Sequence, residues 1–144
     1  NALEMTTGKG INICTHIIIG FPWENKELWL KEAEELSKLP TDFLKIHQLH
    51  LVKDTKLGQQ YLNKQFDLLT FNQYLKIIVS FLERLNPRII IQRLFGEAPP
   101  DILLAPKWNK RNSEVLQAID NELEARDSWQ GKFYRQDNKG SKAL

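Results

Sequence analysis

The sequence lacks the features that define several classes of protein. Its 144 residues include one cysteine, which excludes a disulfide within the chain and favours a reducing compartment, the cytoplasm. No apolar run approaches the roughly 18 residues of a membrane-spanning helix, and no basic segment leads into an apolar stretch as in a secretory signal. Zinc-ligand spacing and a glycine-rich phosphate loop are also missing. We therefore expect no membrane span and no metal site built by this chain.

Excess positive charge is concentrated at one end of the chain. The formal net charge is +2, but residues 128–144 carry four basic side chains against one acidic one. A nucleic-acid interface needs basic charge on a folded face, so the charge distribution does not support nucleic acid, tRNA included, as a partner. Such a polar segment buries little apolar surface, and we expect residues 127–144 to form a disordered basic tail.

The rest of the sequence alternates strand-like and helix-like segments. Apolar patterns predict strands at about 11–20, 43–52 and 88–94, and amphipathic helices at about 26–39, 71–85 and 113–126. Asn25 is a candidate N-cap, and Thr70 with Gln73 forms a capping box. This order predicts an α/β fold with parallel strands, in a parallel βαβαβα unit over residues 1–126. A closed eight-unit barrel takes about 250 residues. Three units are too few to close one, and because the chain begins without methionine we expect it to be part of a longer protein.

Strand alternation separates the polar from the apolar side chains. On the first strand, the face expected to pack under helices carries Ile11, Ile13, Ile17 and Ile19. The opposite, concave face is predicted to carry Asn12, Cys14, His16, Ile18 and Gly20 from the first strand and Lys45, His47 and Leu49 from the second. Parallel α/β proteins bind ligands beyond the C-terminal ends of their strands, so we expect a site at that edge.

Several of these candidates also have a purely structural interpretation. A single inward cysteine such as Cys14 is typical of a small buried apolar residue. His47 and His50 resemble a metal-binding pair, but residues three apart on a strand point to opposite faces. Structural roles are also open for three others: reaching solvent for Lys45, stabilising a helix N-terminus for Glu24, and anchoring a loop for Trp108.

Four segments resemble motifs of the radical S-adenosylmethionine (SAM) enzymes. Residues 18–24 are similar to the segment Ile-x-Gly-x-Pro-Gly-Glu of that family, with Trp23 where glycine is usual. Residues 44–57 are similar to the signature Lys-Ile-His-x-Leu-His-x-Val-Lys-x-Thr-x-Leu of one subgroup. Residues 93–99 and 103–108 resemble the subgroup's closing Arg-Leu-x-Gly and Ala-Pro-x-Trp segments. This uncharacterised subgroup, often labelled Fe-S oxidoreductases, is related to the elongator-type and oxygen-independent coproporphyrinogen oxidase enzymes.

The resemblance, which covers residues 10–123, implies a fold and an activity. The fold is a partial (β/α)6 barrel of the TIM type, of which this chain is the C-terminal half. In the family, a Cys-x3-Cys-x2-Cys loop holds a [4Fe–4S] cluster, and reductive cleavage of SAM yields a 5′-deoxyadenosyl radical. Cys14 cannot replace three thiolates. The resemblance therefore implies a radical SAM parent enzyme with an unknown substrate, and a chain that is inactive alone.

The resemblance also assigns binding residues, although it identifies no catalytic residue. The cofactor-binding candidates are Ile18, Gly20, Pro22, Glu24, Leu51 and Val52. The substrate-binding candidates are Lys45, His47, His50, Lys53, Arg93 and Trp108.

An alternative of a different class is a non-catalytic α/β binding or assembly module. Under the first interpretation, the principal partner is the missing N-terminal half of the barrel. A cut barrel exposes strand edges, so we also expect self-association through those edges.

Overall fold

A computed structural model describes residues 2–135. In chain order the elements are α1 (Ala2–Thr6), β1 (Cys14–Ile19), α2 (Lys26–Leu36), β2 (Phe43–Gln48), β3 (Leu51–Val52), α3 (Lys56–Leu62), α4 (Phe71–Leu82), β4 (Ile90–Arg93), β5 (Leu103–Ala105) and α5 (Asn112–Ala125). No helix within residues 2–135 combines the length and apolar character that crossing a bilayer requires.

Three strands form the parallel sheet that the sequence predicts. Their order is β1-β2-β4, with Cys14 opposite Phe43 and Phe43 opposite Ile90. The connections run through α2 and α4, which is the arrangement expected when apolar strands alternate with amphipathic helices. The predicted parallel α/β architecture is therefore confirmed.

The second predicted strand divides into two. It leaves the sheet after Gln48, and β3 pairs antiparallel with β5, placing Leu51 opposite Ala105. Leu49, Leu51 and Ala105 are buried together in a second, smaller apolar cluster. Burial of these side chains explains the departure from the main sheet, because a continuous strand would not bring them to the 103–105 segment. The sequence pattern predicted no strand at the position of β5.

The helices cover one face of the sheet. The main core joins Ile17 and Ile19 of β1 and Leu44 and Ile46 of β2 to buried side chains of α2, α4 and α5. This confirms the face assigned to Ile17 and Ile19. The strand begins at Cys14 rather than at residue 11, however, and Ile11 is 64% exposed, so its predicted packing under helices is wrong.

The predicted helix starts are present as hydrogen bonds. Thr70 N donates to Gln73 Oε1 at 2.8 Å, and Gln73 N donates to Thr70 Oγ1 at 3.3 Å, completing the capping box of α4. Leu28 N donates to Asn25 Oδ1 at 2.9 Å and starts α2. These bonds satisfy amide groups that have no partner within the helix.

Residues 127–135, expected to be disordered, instead pack against the end of α4. Gly131 N donates to Leu82 O at 2.9 Å, and Phe133 N donates to Glu83 O at 2.7 Å. Gln130 Nε2 donates to Ile89 O at 2.8 Å. Disorder was predicted from the polar, basic composition of the segment. That composition did not reveal the backbone donors and aromatic rings by which the segment contacts the end of α4. The rest of the expected tail, residues 136–144, lies outside the described residues.

We expect Leu44→Ala to lower the free energy of unfolding by about 2–5 kcal/mol, because this side chain is fully buried between sheet and helices. Leu28→Ala is the matched control: Leu28 is 48% exposed on α2, and its loss should change the free energy of unfolding by less than about 0.5 kcal/mol. Chemical denaturation measures both. Equal losses in the two variants would contradict the assigned core.

Candidate functional site

One face of the three-stranded sheet carries the polar side chains. We call it the open face, because the core side chains of α2, α4 and α5 pack on the other side in the described part of the chain. It is formed by Cys14, His16 and Ile18 of β1, Phe43, Lys45 and His47 of β2, and Ile90, Gln92 and Arg93 of β4. The structure thus places Cys14, His16, Lys45 and His47 on the face to which alternation assigned them. Asn12, also assigned to that face, lies before β1, and Leu49 is buried in the second apolar cluster, so the prediction is wrong for Leu49.

Three basic residues lie side by side across the open face. Strand pairing places His16 opposite Lys45, and Lys45 opposite Arg93. We call these three residues the basic row. His47 lies on the same face two residues further along β2, opposite Ile18. The row is therefore a product of register, with one side chain from each strand.

An irregularity in the pairing of β2 with β4 brings Arg93 to this face. The register shifts between Leu44 and Lys45, so Ile91 pairs with Leu44 but Arg93, rather than Gln92, pairs with Lys45. Strict alternation from Ile91 would have directed Arg93 toward the helices. A bulge re-aims side chains in this way. The sequence motif flagged Arg93, but its spacing gave no indication of the bulge.

His47 is held by Arg93. Arg93 Nη1 lies 3.2 Å from His47 Nε2, and because a guanidinium only donates, this nitrogen accepts and Nδ1 carries the imidazole proton. Partial burial lowers the pKa of His47 below its usual 6.5. The positive charges of Arg93, His16 and Lys45 lower it further. His47 is therefore a neutral imidazole at pH 7, whose Nε2 is an acceptor facing cations.

Gln48 and Gly96 fix the loop that follows β4. Gln48 Nε2 donates to Gly96 O at 2.7 Å, and Gly96 N donates to Gln48 Oε1 at 2.9 Å. A Cβ atom added at Gly96 would lie 2.3 Å from His47 Nδ1, so only glycine allows this approach. Sequence reasoning missed Gln48. Alternation could have identified it, because Gln48 follows Leu44 and Ile46 on the helix-facing side of β2. A glutamine buried there needs hydrogen-bond partners for its amide.

The other substrate candidates lie away from the basic row. His50 Nε2 is 2.8 Å from Gln48 Nε2, and burial, followed by the charge of His47, lowers the pKa of His50. His50 and Trp108 border a separate groove of about 370 Å³. Lys53 Nζ donates to the backbone oxygen of Asp101, which ties β3 to the loop before β5.

Trp108 is held mainly by packing. Its Nε1 donates to Leu69 O at 3.2 Å. Its ring centroid lies 5.1 Å from that of Tyr74 and 6.2 Å from that of Phe95. These contacts match the anchoring role that the sequence left open.

The cofactor candidates divide between the end of β1 with the loop that follows it and the β3–β5 ribbon. Ile18 is 47% exposed on the open face, and Gly20 follows it at φ 112°, a conformation that favours glycine. Pro22 is half-buried in the same loop. Glu24 Oε2 accepts a hydrogen bond from Trp29 Nε1 at 2.6 Å, which fastens the loop to α2.

Leu51 and Val52 belong to the small ribbon instead. Leu51 is 1% exposed and Val52 pairs with Leu103, so the side chain of Leu51 offers no ligand surface.

The comparison with known proteins assigns the family. Residues 41–125 match the Radical SAM C-terminal domain. The chain belongs to the radical SAM family. This radical SAM C-terminal domain is 36% identical over 126 residues to the uncharacterised protein YtqA of Bacillus subtilis, covering 88% of the chain and 39% of that protein. It is 34% identical over 129 residues to the uncharacterised protein MJ0486 of Methanocaldococcus jannaschii, covering 88% and 40%.

The radical SAM domain spans about two fifths of the length of these curated relatives. Protein YhcC of Escherichia coli K12 is 25% identical over 120 residues, covering 83% of the chain and 39% of that protein. Among solved structures, Methanocaldococcus infernus Elp3 with an N-terminal deletion matches with a TM-score of 0.76 and 14% identity, over 90% of this chain and 30% of that one. The structural match confirms the predicted fold.

The residues of this radical SAM domain do not fit an iron–sulfur cluster. The chain has one cysteine, and Cys14 Sγ lies 3.6 Å from Gln92 Oε1. Within residues 2–135, no group of three His, Cys, Asp or Glu side chains is placed to hold a metal ion. This chain therefore does not supply the three thiolates that hold such a cluster.

Acid should destabilise the domain through His47 and His50. Their lowered pKa values mean that the unfolded chain binds these protons more readily, starting near pH 6.5, so stability falls as the pH drops through that value. We expect the free energy of unfolding to decrease between about pH 7 and about pH 5. Denaturation across this range tests it. In the His47→Gln/His50→Gln variant this decrease should be smaller. If the free energy of unfolding of the variant fell with pH as steeply as that of the unmodified chain, the two histidines would not be the cause.

Gly96→Ala should displace the imidazole of His47 and lower the free energy of unfolding by about 1–3 kcal/mol. In a His47→Ala background the same substitution should have a smaller effect, because the ring that a methyl group would strike is gone. Chemical denaturation of the four proteins completes the cycle. The same loss in both backgrounds would show that His47 is not the obstacle.

Proposed function

We propose that this chain forms the C-terminal part of the barrel of a radical SAM oxidoreductase, and that its open face binds SAM and the substrate. The observation that supports this most directly is the family match over residues 41–125 on a sheet whose uncovered face carries the basic row. In the full-length protein, SAM and a [4Fe–4S] cluster held outside this chain would supply radical chemistry. The chain's own residues orient the cofactor and substrate.

The adenosyl part of SAM would lie against the C-terminal end of β1. Ile18 presents an apolar side chain there, 47% exposed beside polar neighbours. In the turn that follows the strand, Gly20 is buried and Pro22 is half-buried. An adenine ring needs an apolar surface, which Ile18 supplies. This exposure supports the assignment of Ile18 to the cofactor, and Gly20 and Pro22 would shape the turn beside it.

The cluster would be held by another part of the full-length protein, since this chain does not supply three thiolates. The remaining part of the barrel is the proposed partner. The edge strands of the sheet are β1 and β4. The remaining part would cover the open face and pair with one of these edge strands. In its absence, self-association through those edges would protect them. A cytoplasmic location stays a prediction from the cysteine content.

Reductive SAM cleavage is the direct test. The full-length protein, reconstituted anaerobically with iron and sulfide and reduced with dithionite, should release 5′-deoxyadenosine, measured by liquid chromatography. The 144-residue chain alone, treated identically, should release none because it lacks the cluster ligands. Release by the chain alone would overturn its assigned role. No release by a cluster-loaded full-length protein would favour the alternative, a non-catalytic binding or assembly module.

Ile18→Asp in the full-length protein should weaken SAM binding by at least about tenfold, because it places a carboxylate against the adenosyl part. Leu28→Asp is the matched control, since Leu28 is equally exposed, at 48%, but on α2. Equilibrium dialysis with labelled SAM measures both affinities. Equal weakening in the two variants would contradict the placement of the cofactor at Ile18.

A further inference from the structure

The basic row concentrates positive charge in the sheet. Neighbouring strands lie about 4.8 Å apart, and His16, Lys45 and Arg93 occupy matched positions on three of them. Like charges in directly opposite positions destabilise a sheet. The arrangement is therefore unfavourable for folding unless another component of the site offsets the repulsion.

The strands that carry the basic row contribute no carboxylate to it. The segments Cys14–Ile19, Phe43–Gln48 and Ile90–Arg93 contain no acidic residue. The ion pairs found within residues 2–135 involve Lys38, Arg84, Lys110 and Arg126, and neither Lys45 nor Arg93 is among them. Lys45 and Arg93 therefore carry charge that no carboxylate of these three strands neutralises.

The donors of the row remain available. Arg93 directs one nitrogen to His47 Nε2, which leaves other N–H groups of a planar fork that suits a carboxylate or phosphate. Lys45 is half-buried and Arg93 is exposed, so the row has both a partly desolvated and an accessible cation. His47 accepts from Arg93 and thereby fixes the orientation of the guanidinium. The result is a small set of oriented donors.

We propose that the basic row binds one anionic group, a carboxylate or a phosphate, of the substrate. This assignment rests on the proposed function, because the open face is where that substrate would lie. A nucleic-acid backbone would require a longer basic surface, whereas the two cations Lys45 and Arg93, with His16 and His47 beside them, match a single group. The row thus selects small substrates that carry such a group, with Arg93 and Lys45 as the principal contacts.

Calorimetric titration of the full-length protein with inorganic phosphate and with oxalate, at constant ionic strength, tests the proposal. We expect one anion bound per chain by the unmodified protein. Arg93→Gln and Lys45→Gln should each weaken binding at least about tenfold. Arg88→Gln is the matched control, since Arg88 is exposed just before the other end of β4 and should leave binding unchanged. Absence of binding for both anions, or equal weakening by Arg88→Gln, would overturn the proposal.

Two further measurements separate this proposal from related explanations. The carboxylate of SAM is another anion, so each titration is repeated with SAM present. If SAM displaces the anion and Arg93→Gln weakens SAM equally, the row serves the cofactor and the substrate assignment is wrong. If the anion binds through Arg93 but the protein never releases 5′-deoxyadenosine, the proposed function fails while the anion site stands as that of a binding module.

Discussion

Burial of one sheet face, with the other left open, is the constraint on which the rest of this structure depends. Ile17 and Ile19 on β1 and Leu44 and Ile46 on β2 pack under three helices, and strand alternation necessarily turns the residues between them outward. Apolar burial therefore holds His16, Lys45 and His47 in fixed positions without any of them contributing to the core. The open face is held in place because the opposite face is packed.

Polar contacts also hold the loops at the C-terminal ends of the strands. The amide of Gln48 bridges to both backbone groups of Gly96, and the resulting loop approaches the ring of His47 closely. The buried amide thus couples the end of β2 to the loop after β4. Arg93, the last residue of β4, also contacts His47. The imidazole of His47 is therefore positioned both by Arg93 and by the loop that follows β4.

Sequence reasoning predicted what depends on local pattern and missed what depends on pairing between distant segments. Alternation assigned the faces of Ile17 and His16, and capping chemistry located the start of α4 at Thr70. The bulge that turns Arg93 cannot be read from spacing, because it arises from the match between β2 and β4. The β3–β5 ribbon was missed for the same reason. Each of its strands is too short to show a period, and burial beside Leu49 decides its pairing.

Residues 127–135 extend the folded unit beyond the end of the family match. The family match ends at residue 125, yet the carbonyl groups of Leu82 and Glu83, at the end of α4, accept amide protons from Gly131 and Phe133. The last turn of a central helix is thus completed by chain about fifty residues later. Insertions or fusions joined at residue 125 would act on the helix that supports the sheet, so the permissive junction for engineering lies after this segment.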